Sequence, residues 1–329
     1  MIDTIDQDHN DILKIVQTGF PVTERPFLAL ADRYGMSEQR IIESLKNLIA
    51  ENIVRTFGPV FEPRKLGYRT TLAAAEVDQD RIAELATFML NIREITHNYL
   101  RGHDINLWFT VTAFNDRIRD DIIRSIGKFP GVARIMNLPM VTVYKIRAVF
   151  GVDETSVHTA AQDNGIHEEL SETERELIRT LQDSLPVVER PFKVVAEVLH
   201  ADESNVIARI QRWVEDGTIR RIGARLNHRQ AGYTANALTV WQGDSIDAWG
   251  GNFAELSFVS HCYRREPHEA WPYELYAMVH ARSEGELKKN VTLMKTLAPG
   301  AQVVLLPTQY ELKKTSMKYF LEVTGWDSL

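Results

Sequence analysis

Two hydrophobic periods alternate along the chain, and they do so twice. In the first stretch, DHNDILKIVQ from Asp8 spaces its apolar residues for one helix face. FLALADRYG follows, with Pro26 just inside its start, where the missing N–H costs little, and Gly35 at its stop. Ser37 is placed to cap SEQRIIESLKNLIAENIV, whose Ile41, Leu45, Leu48 and Ile49 make one buried stripe. The same order returns as SETERELIRTLQ, PFKVVAEVLHA and DESNVIARIQRWVEDGTI. Three short helices with a turn before the third predict a helix-turn-helix module. VRTFGPVF and IRRIGARL, which follow, are predicted as wing strands. Beyond Tyr68 the period becomes two. TTLAAAEV, EITHNYLR, NLWFTVTAF and VTVYKIRAVF read as strands, with DRIAELATFML and DRIRDDIIRSIGKF as helices between them. The later half gives TANALTVW, a short helix, FVSHCYRR, YELYAMVHA, the helix EGELKKNVTLMKTL and QVVLLP. Both halves read βαββαβ, a ferredoxin-like order.

The duplication is explicit in the letters. FPVTERPFLALA from Phe20 returns as LPVVERPFKVVA from Leu185, 165 positions on, and the same offset aligns Tyr68 with Tyr233. ITHNYLR from Ile95 answers VSHCYRR from Val259. Three matches in one order mean two copies of one unit. The predicted organisation is a winged helix-turn-helix over residues 1–68 and a ferredoxin-like αβ domain over 69–150. A polar linker follows over 151–170, then a second winged helix-turn-helix over 171–233 and a second αβ domain over 234–329. The fold class is α+β, two tandem units forming an internal pseudo-dimer.

Composition narrows the function classes. The chain has 329 residues, enough for two to four domains at about 100–200 residues each. Its apolar runs fall short of the roughly 18 residues that span a bilayer, and its acidic start lacks the pattern of a signal peptide. A single cysteine, Cys262, forms no intrachain disulfide and no cysteine-based zinc cluster; with the absent signal this points to the cytoplasm. A net charge of -7 argues against nucleic acid as partner, although RRIGAR and EPRKLGYR in the wings are locally basic. No GxGxxG, P-loop or HExxH motif is present.

The chemistry sits in the matched strands. Alternate strand residues share a face, so His97, Tyr99 and Arg101 project together, as do His261, Tyr263 and Arg265. Cys262 alternates away and is expected inside. HNYLRGHDINLWF and SHCYRREPHEAWPYELYAMVH resemble the siroheme decarboxylases, an enzymatic branch of the Lrp/AsnC-like fold, and both of that family's subunit types appear joined here. The string MSEQRIIESLKNLIAENIVRTFGPVFEPRKLGY resembles the Lrp/AsnC recognition helix and wing. The resemblance implies siroheme as substrate, loss of two acetate carboxyls as CO2 to give 12,18-didecarboxysiroheme, a place in heme d1 or alternative heme biosynthesis, and no cofactor beyond the iron tetrapyrrole itself.

For such a reaction an arginine can grip a substrate carboxylate through paired hydrogen bonds, and aromatics can pack on the ring. Loss of CO2 leaves charge on carbon that must gain a proton, which a histidine near its ordinary pKa of about 6.5 supplies. His97 and His261 are therefore the main acid candidates, with Tyr99 and Tyr263 beside them; either histidine could instead ligate the substrate iron. Arg101, Arg265, His103, His268, Trp108, Trp271 and Tyr273 are the substrate-binding candidates. Plainer roles compete: Arg101 and Arg265 as surface ion-pair partners, Trp108 and Phe109 as core. Trp271 and Tyr273 lie in a loop, which argues against core, and their WPY string tilts the reading towards the second copy. His280 is evenly balanced, and His9, His158, His167, His200 and His228 receive no role. Two rivals stand beside the enzyme reading, a DNA-binding Lrp/AsnC-type regulator and a tetrapyrrole sensor without turnover. Further pairing of fused chains is not readable.

Overall fold

The computed structural model describes residues 7–17, 19–146, 170–226 and 234–321. Residues 151–169 of the expected linker, and with them His158 and His167, lie outside the described residues, as does His228.

Copy 1 opens with α1 (Gln7–Gln17), α2 (Pro26–Tyr34), α3 (Glu38–Ala50) and β1 (Val54–Phe61). Copy 2 answers with α6 (Glu172–Leu181), α7 (Pro191–Val198), α8 (Glu203–Glu215) and β7 (Ile219–Leu226). The local signals act as expected. Pro26 and Pro191 open their helices, the Ser37 hydroxyl accepts the Arg40 N–H at 3.3 Å, and Gly35 ends α2 at a φ of 66°.

The wing strands form where the sequence places them. Among the described residues each wing supplies one strand, and a lone strand leaves its backbone groups unpaired. β1 and β7 therefore pair with each other, antiparallel, with Gly58 opposite Gly223 at the centre. A Cβ on Gly223 would lie 2.6 Å from the Gln17 carbonyl oxygen, so glycine alone permits this approach of strand to helix. The two modules share one core, in which Phe27, Phe57, Leu45, Ile178, Phe192, Ile210 and Trp213 are fully or nearly fully buried. The ER of each ERPF string reaches across the pseudo-twofold. Arg25 pairs with Glu189 at 3.1 Å and with Glu38; Arg190 pairs with Glu24 at 3.0 Å and with Glu203.

The αβ domains exchange strands. Copy 1 comprises β2 (Arg69–Val77), α4 (Ile82–Leu90), β3 (Ile95–Arg101), β4 (Leu107–Ala113), α5 (Asp116–Gly127), β5 (Val132–Leu138) and β6 (Met140–Ile146). Copy 2 comprises β8 (Ala235–Gln242), α9 (Ile246–Ala254), β9 (Val259–Arg265), β10 (Leu275–Ala281), α10 (Glu284–Leu297) and β11 (Gln302–Lys314). The ferredoxin-like orders β5-β2-β4-β3 and β11-β8-β10-β9 are both present, joined where β11 pairs with β3, and β6 lies beside β9. The sequence pattern missed β5 and assigned VTVYKI to the sheet of copy 1. Instead β5 pairs with β2, the chain crosses at Pro139, and β6 extends the sheet of copy 2. β11 does the converse: Gln302–Pro307 pair with β8, and Thr308–Lys314 pair with β3.

Alternation along β2 shows the layering. Ala73, Ala75 and Val77 pack towards α4 and α5, while Ala74 packs with Leu238, Val240, Tyr276 and Leu306 of copy 2. Each sheet thus has one face under its own helices and the other in a core shared between the copies.

Candidate functional site

β3 and β9 carry the two triplets on the face opposite their helices. Cys262 fixes the phase: it is buried in the core beneath α9 and α10, with its thiol pushed up to about 12 by burial, so His261 and Tyr263 point the other way. Within each triplet the order is the same. The His97 and Tyr99 rings lie 6.2 Å apart and those of His261 and Tyr263 6.0 Å. Arg101 sits 5.3 Å over Tyr99, and Arg265 sits 5.3 Å over Tyr263 and 5.5 Å over Tyr276. Nδ1 of His97 contacts the Thr96 hydroxyl at 3.0 Å. Nδ1 of His261 contacts the Ser260 hydroxyl at 2.9 Å, and that hydroxyl also lies 2.8 Å from Nε2 of His280.

The two arginines are not surface ion-pair partners. Arg101 donates from Nη1 to the Leu306 carbonyl at 3.0 Å and to the Thr308 hydroxyl at 2.9 Å, and burial lowers its pKa to about 10. Arg265 donates from Nη1 to the Leu138 carbonyl at 2.9 Å, and burial lowers its pKa as well. Leu306 and Leu138 precede the crossover prolines, Pro307 and Pro139, whose carbonyls accept the N–H of Gly102 and of Glu266. Each arginine therefore pins the strand that crosses between copies. The Nε of both is buried without a hydrogen-bond partner.

The loop residues also fall in places that sequence alone did not give. His103 and His268 brace turns: Nδ1 of each accepts the backbone N–H two residues on, Ile105 at 3.0 Å and Ala270 at 3.1 Å. Trp271, expected at the surface, is 4% exposed. It packs on Trp108 at 5.5 Å, His103 at 5.3 Å and Tyr273 at 4.9 Å in the core between the sheets. Its backbone forms an isolated bridge with His268, which folds the loop inward. Trp108 is equally buried and donates its N–H to the Ile105 carbonyl at 2.8 Å.

The surroundings of the triplets differ. Burial, then the positive charges of Lys314 and Arg55, lowers the pKa of His97 to about 4, so it is neutral at pH 7 rather than poised near 6.5. Arg55, on β1, donates to the Lys314 carbonyl at 2.5 Å. Arg225, on β7, donates to Thr56 at 2.6 Å and to Ser316 at 3.0 Å; burial and the charge of Arg55 lower its pKa. Among the described residues neither Arg55 nor Arg225 pairs with a carboxylate, and Glu311, 3.6 Å from Lys314, is the acid next to Tyr99. Around Tyr263 stand Arg220, Arg265, Glu62 and Arg64 instead, and Glu62 accepts from Arg220 Nε at 2.8 Å. The two triplets share none of these neighbours, and β11, β8 and β10 separate their strands in the sheet. Arg55, Arg225 and Lys314, which stand near the first triplet, were not among the sequence candidates. Arg225 lies in the RRIGAR string read as locally basic, whereas Arg55 lies outside both basic strings and Lys314 lies at the end of β11.

Comparisons with known proteins fit this architecture. The AsnC-like ligand binding domain matches residues 65–145 and 230–313, and the siroheme decarboxylase NirDL-like HTH domain matches residues 9–55 and 174–220. A siroheme decarboxylase of Hydrogenobacter thermophilus is 33% identical over 320 residues, 96% of each chain. The chain belongs to the siroheme decarboxylase family. Within that family the fused form is visible in the match to the siroheme decarboxylase beta subunit of Oleidesulfovibrio alaskensis, 40% identical over 154 residues, which covers 46% of this chain and 97% of that subunit. The crystal structure of the siroheme decarboxylase NirDL in co-complex with an iron-uroporphyrin III analogue superposes with a TM-score of 0.76 at 30% identity, covering 96% of this chain and 95% of that one. The DNA-binding reading is not favoured: the first turns of α3 and α8, which would meet bases, are held through Glu38 and Glu203 by Arg25 and Arg190. Among the described residues no helix is long and apolar enough to cross a membrane, and no group of three or more His, Cys, Asp and Glu could hold a metal ion.

Proposed function

We propose that the chain decarboxylates siroheme, removing two acetate carboxyls as CO2 and giving 12,18-didecarboxysiroheme. The observation that carries this reading is the repeated His–Tyr–Arg ladder on the inner strand faces, set beside cationic wing residues in a chain of this family. In each step the C–C bond to the carboxylate breaks and its electron pair stays on the methylene carbon, shared with the macrocycle. A proton then completes the methyl group, so one proton is consumed for each CO2 released. The ring itself spreads the charge, and the reading assigns no separate cofactor.

His97 and His261 are the proton donors in this scheme. His97 is held neutral because burial and two cations disfavour its charge. Substrate carboxylates between Arg55 and Lys314 would cancel those cations, raise the pKa and let the imidazole take up the proton it delivers. Neutral imidazole is also the form that binds iron, so axial ligation of the substrate is the competing role for the same side chain. Tyr99 and Tyr263, whose pKa values burial raises, stay protonated, so each hydroxyl would serve the substrate as a hydrogen-bond donor rather than a base. Arg101 and Arg265 hold the crossing strands in register.

Anaerobic incubation of the full chain with siroheme, followed by mass measurement, tests the reading. Loss of two CO2 units is the expected result. A shifted Soret band with unchanged mass would instead make the protein a tetrapyrrole binder without turnover.

A further inference from the structure

The two strands that cross between copies share their irregularities but not their letters. Each follows its crossover proline, as Met140–Ile146 in β6 and Thr308–Lys314 in β11. Aligned in register, these two stretches have one letter in common, the lysine at Lys145 and Lys313. Both strands break register at the same two steps. In β6 the breaks lie between Met140 and Thr142 and between Val143 and Lys145; in β11 they lie between Thr308 and Tyr310 and between Glu311 and Lys313. The second break is a bulge just before the lysine, with Tyr144 or Leu312 as its extra residue. Both of these side chains pack against the core beneath the helices.

The lysines turn to that side as well, and both are buried. Lys313 stands opposite Asn98, and its Nζ donates to the carbonyls of Met89, Leu90 and Ile92 at 3.3, 3.0 and 2.7 Å, at the end of α4. Lys145 stands opposite Cys262, and its Nζ donates to the Leu256 carbonyl at 2.7 Å, just past α9. Ile92 and Leu256 are equivalent. Each also accepts the first N–H of its triplet strand, from Ile95 at 3.2 Å and from Val259 at 3.1 Å. Carbonyls at a helix C-terminus lack partners within the helix and carry partial negative charge, so they suit an ammonium. A slip of one residue would turn the lysine to the other face of the sheet and leave those carbonyls without it. With the lysine in place, the next residue stands opposite the histidine: Lys314 opposite His97, and Ile146 opposite His261.

We infer that Lys313 and Lys145 are positioning residues, each locking the bulge of an exchanged strand to a helix end of the other copy and so deciding which residue faces that copy's histidine. They act through register and touch no reacting atom. The inference rests on the proposed function for the role of the histidines, but not for the register itself.

The test is NMR of the full chain, reading cross-strand NOEs between Lys314 and His97 and amide exchange residue by residue. Lys313→Met should lose those NOEs. Its amides at residues 312–314 and 96–98 should exchange at least about tenfold faster while those of α7 and α8 keep their rates, because the opening is local. Lys313→Arg, which keeps a cation at the helix end, should restore both. Lys145→Met should have the same effect on residues 144–146 and 260–262 and spare β3. If Lys313→Met does not fold, Lys313→Gln, which keeps a donor there, carries the same comparison. Retained NOEs with parent exchange rates, or a rise spread evenly over the whole chain, overturns the inference and leaves the lysines as plain stabilisers. Turnover per folded Lys313→Met chain should fall by about 100-fold, the scale of a misplaced reacting group; lost register with parent turnover overturns the positioning role. If the parent leaves the mass of siroheme unchanged while the NOEs behave as stated, the proposed function fails and the register lock stands.

Discussion

The two copies build the same ladder of imidazole, phenol and guanidinium and then treat it differently. At the first, the imidazole faces Lys314 and Arg55 and rests on Thr96. At the second, the register partner is Ile146, the arginine neighbour is tied to Glu62, and the imidazole joins a chain through Ser260 to His280. The position of His280 in copy 1 is Thr112, whose hydroxyl meets Thr70 at 3.1 Å. What stays constant is the part that holds the fold: Arg101 and Arg265 each pin the carbonyl before a crossover proline. What varies is charge and hydrogen bonding around the histidine. Duplication preserved the scaffold in both halves and left the chemical setting free to diverge.

That comparison can be broken most directly at the histidines. His97→Ala should lower siroheme decarboxylation by about 100- to 10,000-fold, the range of a lost general acid, and by more than His261→Ala does. Single-turnover rates for the two variants decide this; a full loss in His261→Ala with near-normal turnover in His97→Ala would reverse the assignment of roles. His261→Ala should in turn cost more turnover than His9→Ala, and equal rates would remove His261 from the mechanism.

The shared element is sharpened by Arg101→Met and Arg265→Met. Each leaves a buried carbonyl unpaired at a strand crossing, so each should destabilise the chain by about 2 kcal/mol. Equal costs by denaturant unfolding fit a common structural role; a cost confined to one copy would show that the crossings are not equivalent.

A smaller effect separates the settings by pH. An unfolded histidine binds its proton near pH 6.5, whereas folded His97, facing Lys314 of β11 and Arg55 of β1 above its own strand's Thr96 and Tyr99, binds it near 4. The unfolded state therefore holds more protons between those values, and this group removes stability as pH falls from about 6.5 to 4, with no contribution above. Thermal melts of His97→Gln should lose less stability than the parent over that window. Identical pH profiles would mean that His97 titrates normally.

Much of the architecture was legible in the letters. The period-3.6 and period-2 stretches, the caps at Ser37 and Gly35, the prolines opening α2 and α7, and the inward phase of Cys262 follow from local geometry, which neighbouring residues determine. The ERPF repeat was legible as a repeat but not as a device, because its arginines meet glutamates of the other copy. The matched triplets were legible as one strand face. Their surroundings were not: Arg55, Arg225 and Lys314 come from three distant segments, and nothing in sequence spacing brings them together.

The sequence by itself determined that there are two copies, which elements each contains, and which side chains share a strand face. Tertiary structure decided which strands exchange between copies, that the wings pair with each other, that Trp271 is core, and that the two histidines have different neighbours. The division has one physical cause. Helix and strand periods are set by bonds within a few residues, while strand partners, burial of a loop and the charge around a site are set by contacts between segments far apart in the chain.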